Sequence, residues 1–349
     1  MIRRQESELA AHGFAWEEGL HFPLTKKETT AIVTAALQED DTKHDITTAA
    51  TIKSNRRARC RLVARQAGVI AGLPLACEAF SQLDPAVTMR IEHEDGTRVK
   101  PQTPVMFLSG HAVGLLSAER VALNFVQPLS GIATLTARYV DAVAGTGVHI
   151  LDTRKTRPLW RRLEKYAVRA GGGLNHRLDL SAAVLIKDNH LAAVDGDITL
   201  AVSRARAVAP LGIKVEVECD TLDQVRAAID AGADIILLDN MQLVTLREAE
   251  AGRWTRRDRG IGRSDSRHGA LYRRNGSRLD LRRRADTLGD RTRSRAGFRL
   301  MPAEVCDVCG SSDIKEIKCK VICQNCGTIL KSCADLQVSQ SIEVNRHGS

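Results

Sequence analysis

Four short β-rich runs recur through the middle of the chain: VHILD (148–152), AVLIKD (183–188), IKVEVECD (213–220) and DIILLDN (234–240). Two alanine-rich helical stretches, TLAVSRARAVAP and TLDQVRAAIDAGA, separate the last three. Strand, helix, strand at this spacing predicts a parallel sheet, because parallel neighbours need a crossover of a dozen or more residues. Each run is apolar along its body and turns charged at its carboxyl end. The charged residues are Asp152 with Arg154 and Lys155, then Lys187, then Glu218 with Asp220, then Asp239. In a closed (β/α) barrel the carboxyl ends of all strands meet at one mouth, where active sites are built. The pattern predicts an α/β fold whose barrel-like half carries a charged mouth.

That mouth would gather Arg154, Lys155, His176, Arg177 and Lys187 as actual or potential cations, with Glu218 and Asp239 as acids. Arginine forks suit carboxylates and phosphates, and lysine acts as a point charge toward phosphate. Five such groups predict a ligand with several negative charges. Two acids on neighbouring strands suit a divalent metal, sugar hydroxyls or a developing positive charge. In RPLWRRLEKY, Arg157, Arg161 and Arg162 have helix-surface spacing and read as solvated. GGGLNHR (171–177) reads either as a plain turn with a core histidine or as a loop whose bare backbone lets a ligand approach closely.

The 349 residues exceed what a single core usually holds, which predicts two domains. Residues 1–130 alternate a helical pattern (KKETTAIVTAALQED) with short β-like runs (CRLVARQAGVIAGL and TMRIEHEDGTRV), and HEDGTRVKPQTPV reads as a turn between strands. No apolar run approaches the ~20 residues that span a bilayer. MIRRQESELAAHGF lacks the apolar region of a secretory signal, so a cytoplasmic location with no membrane partner is expected. The net charge of +9 is local: residues 253–300 hold sixteen arginines and five aspartates, hence +11, which leaves −2 for the rest. Nucleic acid is therefore not an expected partner of the folded body.

Five ordered blocks resemble one family: ERVALNFVQPLSGIATLT (119–136), ILDTRKTRP (150–158), KYAVRAGGGLNHRLDLSAAVLIKDNHL (165–191), VEVECDT (215–221) and ILLDN (236–240). They are similar to quinolinate phosphoribosyltransferase, the carboxylating nicotinate-nucleotide pyrophosphorylase. HDITT (44–48) and AGVIAGLPLACEAF (67–80) resemble that family's amino-terminal domain. The resemblance implies an amino-terminal α/β sandwich domain and an incomplete (β/α) barrel of the type II phosphoribosyltransferase kind. It implies phosphoribosyl transfer from phosphoribosyl pyrophosphate to quinolinate, with Mg²⁺, giving nicotinate mononucleotide, pyrophosphate and CO₂ in NAD synthesis. By the same resemblance, Arg154, His176 and Arg177 contact the quinolinate carboxylates. Lys155 and Lys187 lie near the substrates' anionic ends, and Glu218 and Asp239 lie near ribose and metal. Arg120 matches an arginine given to a neighbouring subunit's site, so a homodimer is implied.

Six of the nine cysteines lie between 306 and 333. Cys306-x₂-Cys309 and Cys323-x₂-Cys326, each knuckle followed by glycine, have the spacing of a structural zinc site, so a small carboxy-terminal zinc ribbon is expected. Cys319 and Cys333 are spare, while Cys60, Cys77 and Cys219 read as buried apolar groups.

Residues 253–300 show neither helical nor strand periodicity and are expected to be disordered. Relatives carry here a Ser-Gly-Gly turn, ATGVD-x-ISVGALTHS and a closing LD-x-x-LD. Arginine without lysine is what GC-rich coding DNA yields when read out of frame. Shifted one base forward, permitted codons for 273–300 can spell AATGVDSISVGALTHSGIALDLGLDFD, then a stop overlapping the start codon of Met301. A frameshift near Glu248 to Thr255, joining a crippled enzyme to a neighbouring gene's product, is the expectation. The divisions expected are an extension at 1–20, the sandwich at 21–130 and a truncated barrel at 131–252. The arginine-rich segment follows at 253–300, then the ribbon at 301–336 and a tail at 337–349. Two other readings remain: a zinc-ribbon nucleic-acid-binding or interaction protein, and a barrel paralogue linked to molybdate transport.

Overall fold

The computed structural model describes residues 19–251 apart from residue 147, and five short strands at 271–273, 296–300, 314–317, 320–323 and 329–331. These fall into two compact units, the first holding residues 22–135 with the strand at 296–300 and the three strands beyond it. The second holds residues 19–21 and 136–251 with the strand at 271–273.

The first unit begins with helix α1 (Lys26–Glu39), started by a capping box. Glu28 Oε2 accepts from the Thr25 amide at 2.7 Å, while the Thr25 hydroxyl accepts from the Glu28 amide, so two otherwise unpaired donors are satisfied. Helix α2 (Ile46–Thr51) and strands β1 (Arg57–Ala64) and β2 (Gly68–Val69) follow. Helix α3 (Leu73–Leu83) then packs on α1, where Thr30 donates to the buried Glu78 at 2.8 Å and Lys26 forms an ion pair with it. Strands β3 (Thr88–Ile91), β4 (Arg98–Val99) and β5 (Thr103–His111) lead into the long helix α4 (Ala112–Ala142). β1 lies antiparallel to β5, and β5 antiparallel to β3, so the turn expected in HEDGTRVKPQTPV separates strands as read. The Glu119 side chain is buried on α4, with Oε1 lacking a hydrogen-bond partner.

In the second unit, α5 (Arg161–Ala170), β6 (Val184–Ile186), α6 (Asp188–Ala192), α7 (Ile198–Val208), β7 (Val215–Cys219), α8 (Leu222–Asp230), β8 (Ile235–Leu238) and α9 (Leu243–Ala251) alternate. β6, β7, β8 and β9 (Leu271–Arg273) pair in parallel in that order. One face of β7 carries Val215, Val217 and Cys219 into a core with Ile186, Val202, Val225, Leu238 and Leu246. The parallel sheet and both crossover helices match the sequence expectation. VHILD does not form a strand. It makes a single parallel bridge, Leu151 to Leu174, because the segment opposite it is a loop rather than a strand.

Two pieces of the arginine-rich segment are strands, which corrects the expectation of disorder at those positions. β9 pairs with β8, and β10 (Ala296–Leu300) lies antiparallel to β1. The edges of β8 and β1 offer backbone donors and acceptors that an added strand of any sequence can meet. The other residues of 253–300 lie outside those described. β11 (Ile314–Ile317), β12 (Lys320–Cys323) and β13 (Ile329–Lys331) form an antiparallel sheet. Cys306, Cys309 and Cys326 lie outside the described residues, and Cys323 is described only as the last backbone position of β12. Among the described residues, no helix is long and apolar enough to cross a membrane.

Candidate active site

The exit from α5 shapes the site. Gly172 adopts φ +86°, and its amide donates to Arg169 O at 2.9 Å while the Gly173 amide donates to Val168 O at 3.0 Å. This paired arrangement closes the helix with a left-handed residue that glycine adopts without a Cβ penalty. At Gly173 a Cβ would fall 2.7 Å from Val168 Cγ1, 2.9 Å from Thr136 Cγ2 and 3.2 Å from Ile150 O. Gly172 and Gly173 thus serve helix termination and close packing. The reading of GGGLNHR as a plain turn fails, since Leu174 N donates to Ile150 O at 2.8 Å and Asp152 N to Leu174 O at 3.1 Å.

Asp152 locks the two resulting arms together. Its buried carboxylate accepts from Asn175 Nδ2 at 2.6 Å and from the His176 amide at 2.9 Å, and forms an ion pair with Lys165. Lys165, also buried, donates to His176 O at 2.9 Å. Burial pushes the Asp152 carboxyl up and the Lys165 ammonium down, and each charge opposes the other's shift. Breaking such a pair from one side leaves an uncompensated buried charge, a loss of roughly 3–5 kcal/mol. Lys165 opens the stretch 165–191, but spacing alone does not mark it as the partner of Asp152.

The two arms bring Arg154, His176 and Arg177 together. The Arg177 guanidinium pKa is lowered by burial first and by neighbouring Arg154 second, and Glu216 partly offsets this. The Nε–H groups of Arg154 and Arg177 are both buried without a hydrogen-bond partner. Arg177 still donates from Nη1 to Ala183 O at 2.9 Å. Two adjacent cations with unmet buried donors are what a docking carboxylate would satisfy.

β7 supplies the counter-charges. Its period-2 alternation places Glu216 and Glu218 on the face opposite the apolar core residues. Glu216 Oε2 lies 2.7 Å from His176 Nε2, and Glu218 Oε2 accepts from Lys187 Nζ at 3.0 Å. The VEVEC alternation was the available signal for Glu216. Asp239 follows β8, and its amide donates to Cys219 O at 3.0 Å, which sets it beside the end of β7. Lys155 is exposed. Arg120 belongs to the other compact unit, on α4.

Two arginines read as solvated are partly exposed and also make side-chain contacts. Arg157 Nε donates to Glu164 Oε1 at 2.6 Å and its guanidinium stacks 4.5 Å from the Trp160 ring centroid. Arg161 donates to Thr156 Oγ1 at 3.2 Å and to Leu178 O at 3.4 Å, so it ties the arm of Arg154 to that of Arg177. Arg162 is exposed, as expected. Among the described residues, no three His, Cys, Asp or Glu side chains cluster so as to hold a metal ion alone.

The family profile described as "Quinolinate phosphoribosyl transferase, N-terminal domain" matches residues 45–130, and that of the C-terminal domain matches 132–262. The chain is 47% identical over 193 residues to a probable nicotinate-nucleotide pyrophosphorylase [carboxylating] of Synechocystis, covering 55% of this chain and 65% of that protein. It is 44% identical over 200 residues to the Bacillus subtilis counterpart, covering 57% of this chain and 69% of the relative. The crystal structure of NadC from Streptococcus pyogenes is 44% identical with a TM-score of 0.62, over 66% of this chain and 82% of that one. These matches cover both compact units and every arm of the site just described. The chain belongs to the quinolinate phosphoribosyltransferase family.

Proposed function

We propose that the chain's site carries out phosphoribosyl transfer to quinolinate with loss of CO₂. The observation that carries this is the pair of buried, unpaired Nε–H donors on adjacent Arg154 and Arg177. Together with His176 they form a cationic seat for a ligand bearing two carboxylates. Lys187 and the exposed Lys155 add charge toward a polyphosphate, and a phosphoribosyl pyrophosphate co-substrate fits that charge. Glu218 and Asp239, at the ends of neighbouring strands, would stabilise positive charge developing on the ribose as pyrophosphate leaves. The quinolinate nitrogen forms the new bond to the ribose carbon. The ring, now a pyridinium, takes the electron pair of the breaking carbon–carboxylate bond as CO₂ departs, and a proton replaces it. Holding the departing carboxylate in place is the task of the cations.

Glu218 and Asp239 are hard oxygen donors that suit Mg²⁺, which binds through one or two carboxylates plus substrate phosphates. Such an ion, bound with the co-substrate, would neutralise the pyrophosphate's charge. A homodimer in which Arg120 reaches a partner's site, and a cytoplasmic location, belong to the same proposal and rest on family likeness. Zinc held by Cys306, Cys309, Cys323 and Cys326 rests on their spacing alone. Truncation at residue 300 should abolish stoichiometric zinc.

The shifted reading of the arginine-rich segment bears on activity. In the same +1 frame, codons for residues 259–267 can also spell EASGGVTL, which contains the Ser-Gly-Gly turn expected at that distance after ILLDN. On that reading the slip would lie before residue 259. The test is release of ¹⁴CO₂ from carboxyl-labelled quinolinate, with the chain as written and with a chain rebuilt in the +1 frame. Release that depends on phosphoribosyl pyrophosphate is expected from the rebuilt chain, and little from the chain as written. A folded rebuilt chain without release would overturn the proposal.

A further inference from the structure

Glu216 is a buried anion set within the cationic cluster, and the chemistry proposed above assigns it no task. Its side chain is 5% exposed, and its carboxylate lies 2.7 Å from His176 Nε2 and acts electrostatically on Arg177. A negative charge there lowers the affinity of the cluster for anions, so its presence calls for a compensating use. The geometry supplies one. A carboxylate only accepts hydrogen bonds, so Nε2 of His176 must carry the hydrogen, and the tautomer and plane of the ring are fixed together. The other end of His176 is held independently: its amide donates to Asp152 and its carbonyl accepts from Lys165. Backbone and ring are thus pinned by different partners on different elements.

We infer that Glu216 is a positioning residue, which orients the His176 imidazole toward one of the two ligand carboxylates and thereby supports selection of a dicarboxylate over a monocarboxylate. This rests on the quinolinate reading of the site. Arg154 and Arg177 bind carboxylates by charge and need no orienting partner, whereas the imidazole, its Nε2–H given to Glu216, can donate to a ligand carboxylate only from Nδ1, and only when both ring nitrogens carry a proton as the anion docks. Losing its orientation costs affinity for the second carboxylate only.

Two substitutions separate positioning from charge balance. Glu216→Gln removes the charge but keeps an acceptor oxygen at the same reach; Glu216→Met, of similar size, removes both. Titration calorimetry with quinolinate should show Glu216→Met binding about tenfold more weakly, the size of one charge-assisted hydrogen bond. Glu216→Gln should stay within about threefold of the parent. Binding of nicotinate, with one carboxylate, should change little in either. In a His176→Ala background Glu216→Met should have no further effect, since residues acting through one another are not additive. Tighter quinolinate binding by both variants would mean that Glu216 is only a counter-charge, and would overturn the inference. So would unchanged binding by a folded Glu216→Met. A second readout needs no ligand: ¹⁵N spectra of His176 should show Nε2 protonated in the parent and Glu216→Gln, and a mixed tautomer in Glu216→Met. A parent ring without a proton on Nε2 contradicts the inference even if quinolinate does not bind, and absent quinolinate binding alone counts against the proposed function instead.

Discussion

Lys187 Nζ donates to Glu218 Oε2 at 3.0 Å, joining the carboxyl ends of two neighbouring parallel strands. The pair is graded in exposure, with the lysine side chain 36% exposed and the glutamate 9%, so the acid is the anchored member. Glu218→Gln keeps the shape and removes the charge. In the +1-rebuilt chain it should lower kcat for phosphoribosyl transfer at least about tenfold, because the lost interaction acts on charge that develops only at the ribose. Quinolinate affinity should stay within about threefold, since that ligand is held by other residues. Steady-state kinetics beside calorimetry check the split, and an equal loss in both would place Glu218 in the quinolinate seat.

Gly173 couples helix packing to the site, three residues before His176. Gly173→Ala drives a Cβ into Val168 and Thr136, with Ile150 O at 3.2 Å behind them. Overpacking of this kind costs about 1–3 kcal/mol. The strain falls on the Ile150–Leu174 hydrogen bond, which sets the spacing of the two arms. Thermal unfolding should show a lower Tm, and quinolinate binding should weaken alongside. Unchanged values for both would show that the packing there relaxes freely.

Glu119 gives the first unit a pH dependence of unusual sign. Burial pushes its carboxyl from the usual 4.5 up to about 7, against the opposing pull of Arg120 and Arg65. The folded state therefore binds more protons than the unfolded one between these values. Stability falls as pH rises from about 4.5 through 7, by roughly 3 kcal/mol in all. Glu119→Gln removes that titration. Urea denaturation at pH 4 and pH 8 should show the variant gaining roughly this amount over the parent at the higher pH. An identical pH response in parent and variant would show that Glu119 ionises without penalty.

Much of this was legible in the chain. Helices at Lys26–Glu39, Ile198–Val208 and Leu222–Asp230 announce themselves through helical patterning and alanine-rich stretches, and the charged ends of β6, β7 and β8 mark the candidate site. VHILD was misread because composition reports β-propensity, while strand formation depends on a partner that here is a single bridge. The contacts of Arg157 and Arg161 were not legible because helix-surface spacing cannot show that a neighbouring loop or ring lies against them. The Asp152–Lys165 pair was invisible for a similar reason: lysine is almost never buried, and only the fold reveals that this one is. Glu216 was readable in the VEVEC alternation, but its histidine partner stands forty positions earlier in the chain.

The coding DNA offers a check independent of folding. Codons for residues 259–300 should spell EASGGVTL, AATGVD and ISVGALTHS in order in the +1 frame, with a stop across the Leu300 and Met301 codons. A single codon in that stretch that closes the +1 frame early would dispose of the frameshift.

Arg154, His176 and Arg177 are proposed as a seat for two carboxylates, and equilibrium binding is the sharpest check on it. Calorimetric titration of the chain with quinolinate and with nicotinate should give at least about tenfold tighter binding of the dicarboxylate. Arg177→Ala should erase that preference with little change in the circular dichroism spectrum, since the bond it gives up, from Nη1 to Ala183 O, ends in a loop and not in a helix or strand. Equal affinity of the parent for the two ligands, or a preference that survives Arg177→Ala, would rule out that seat.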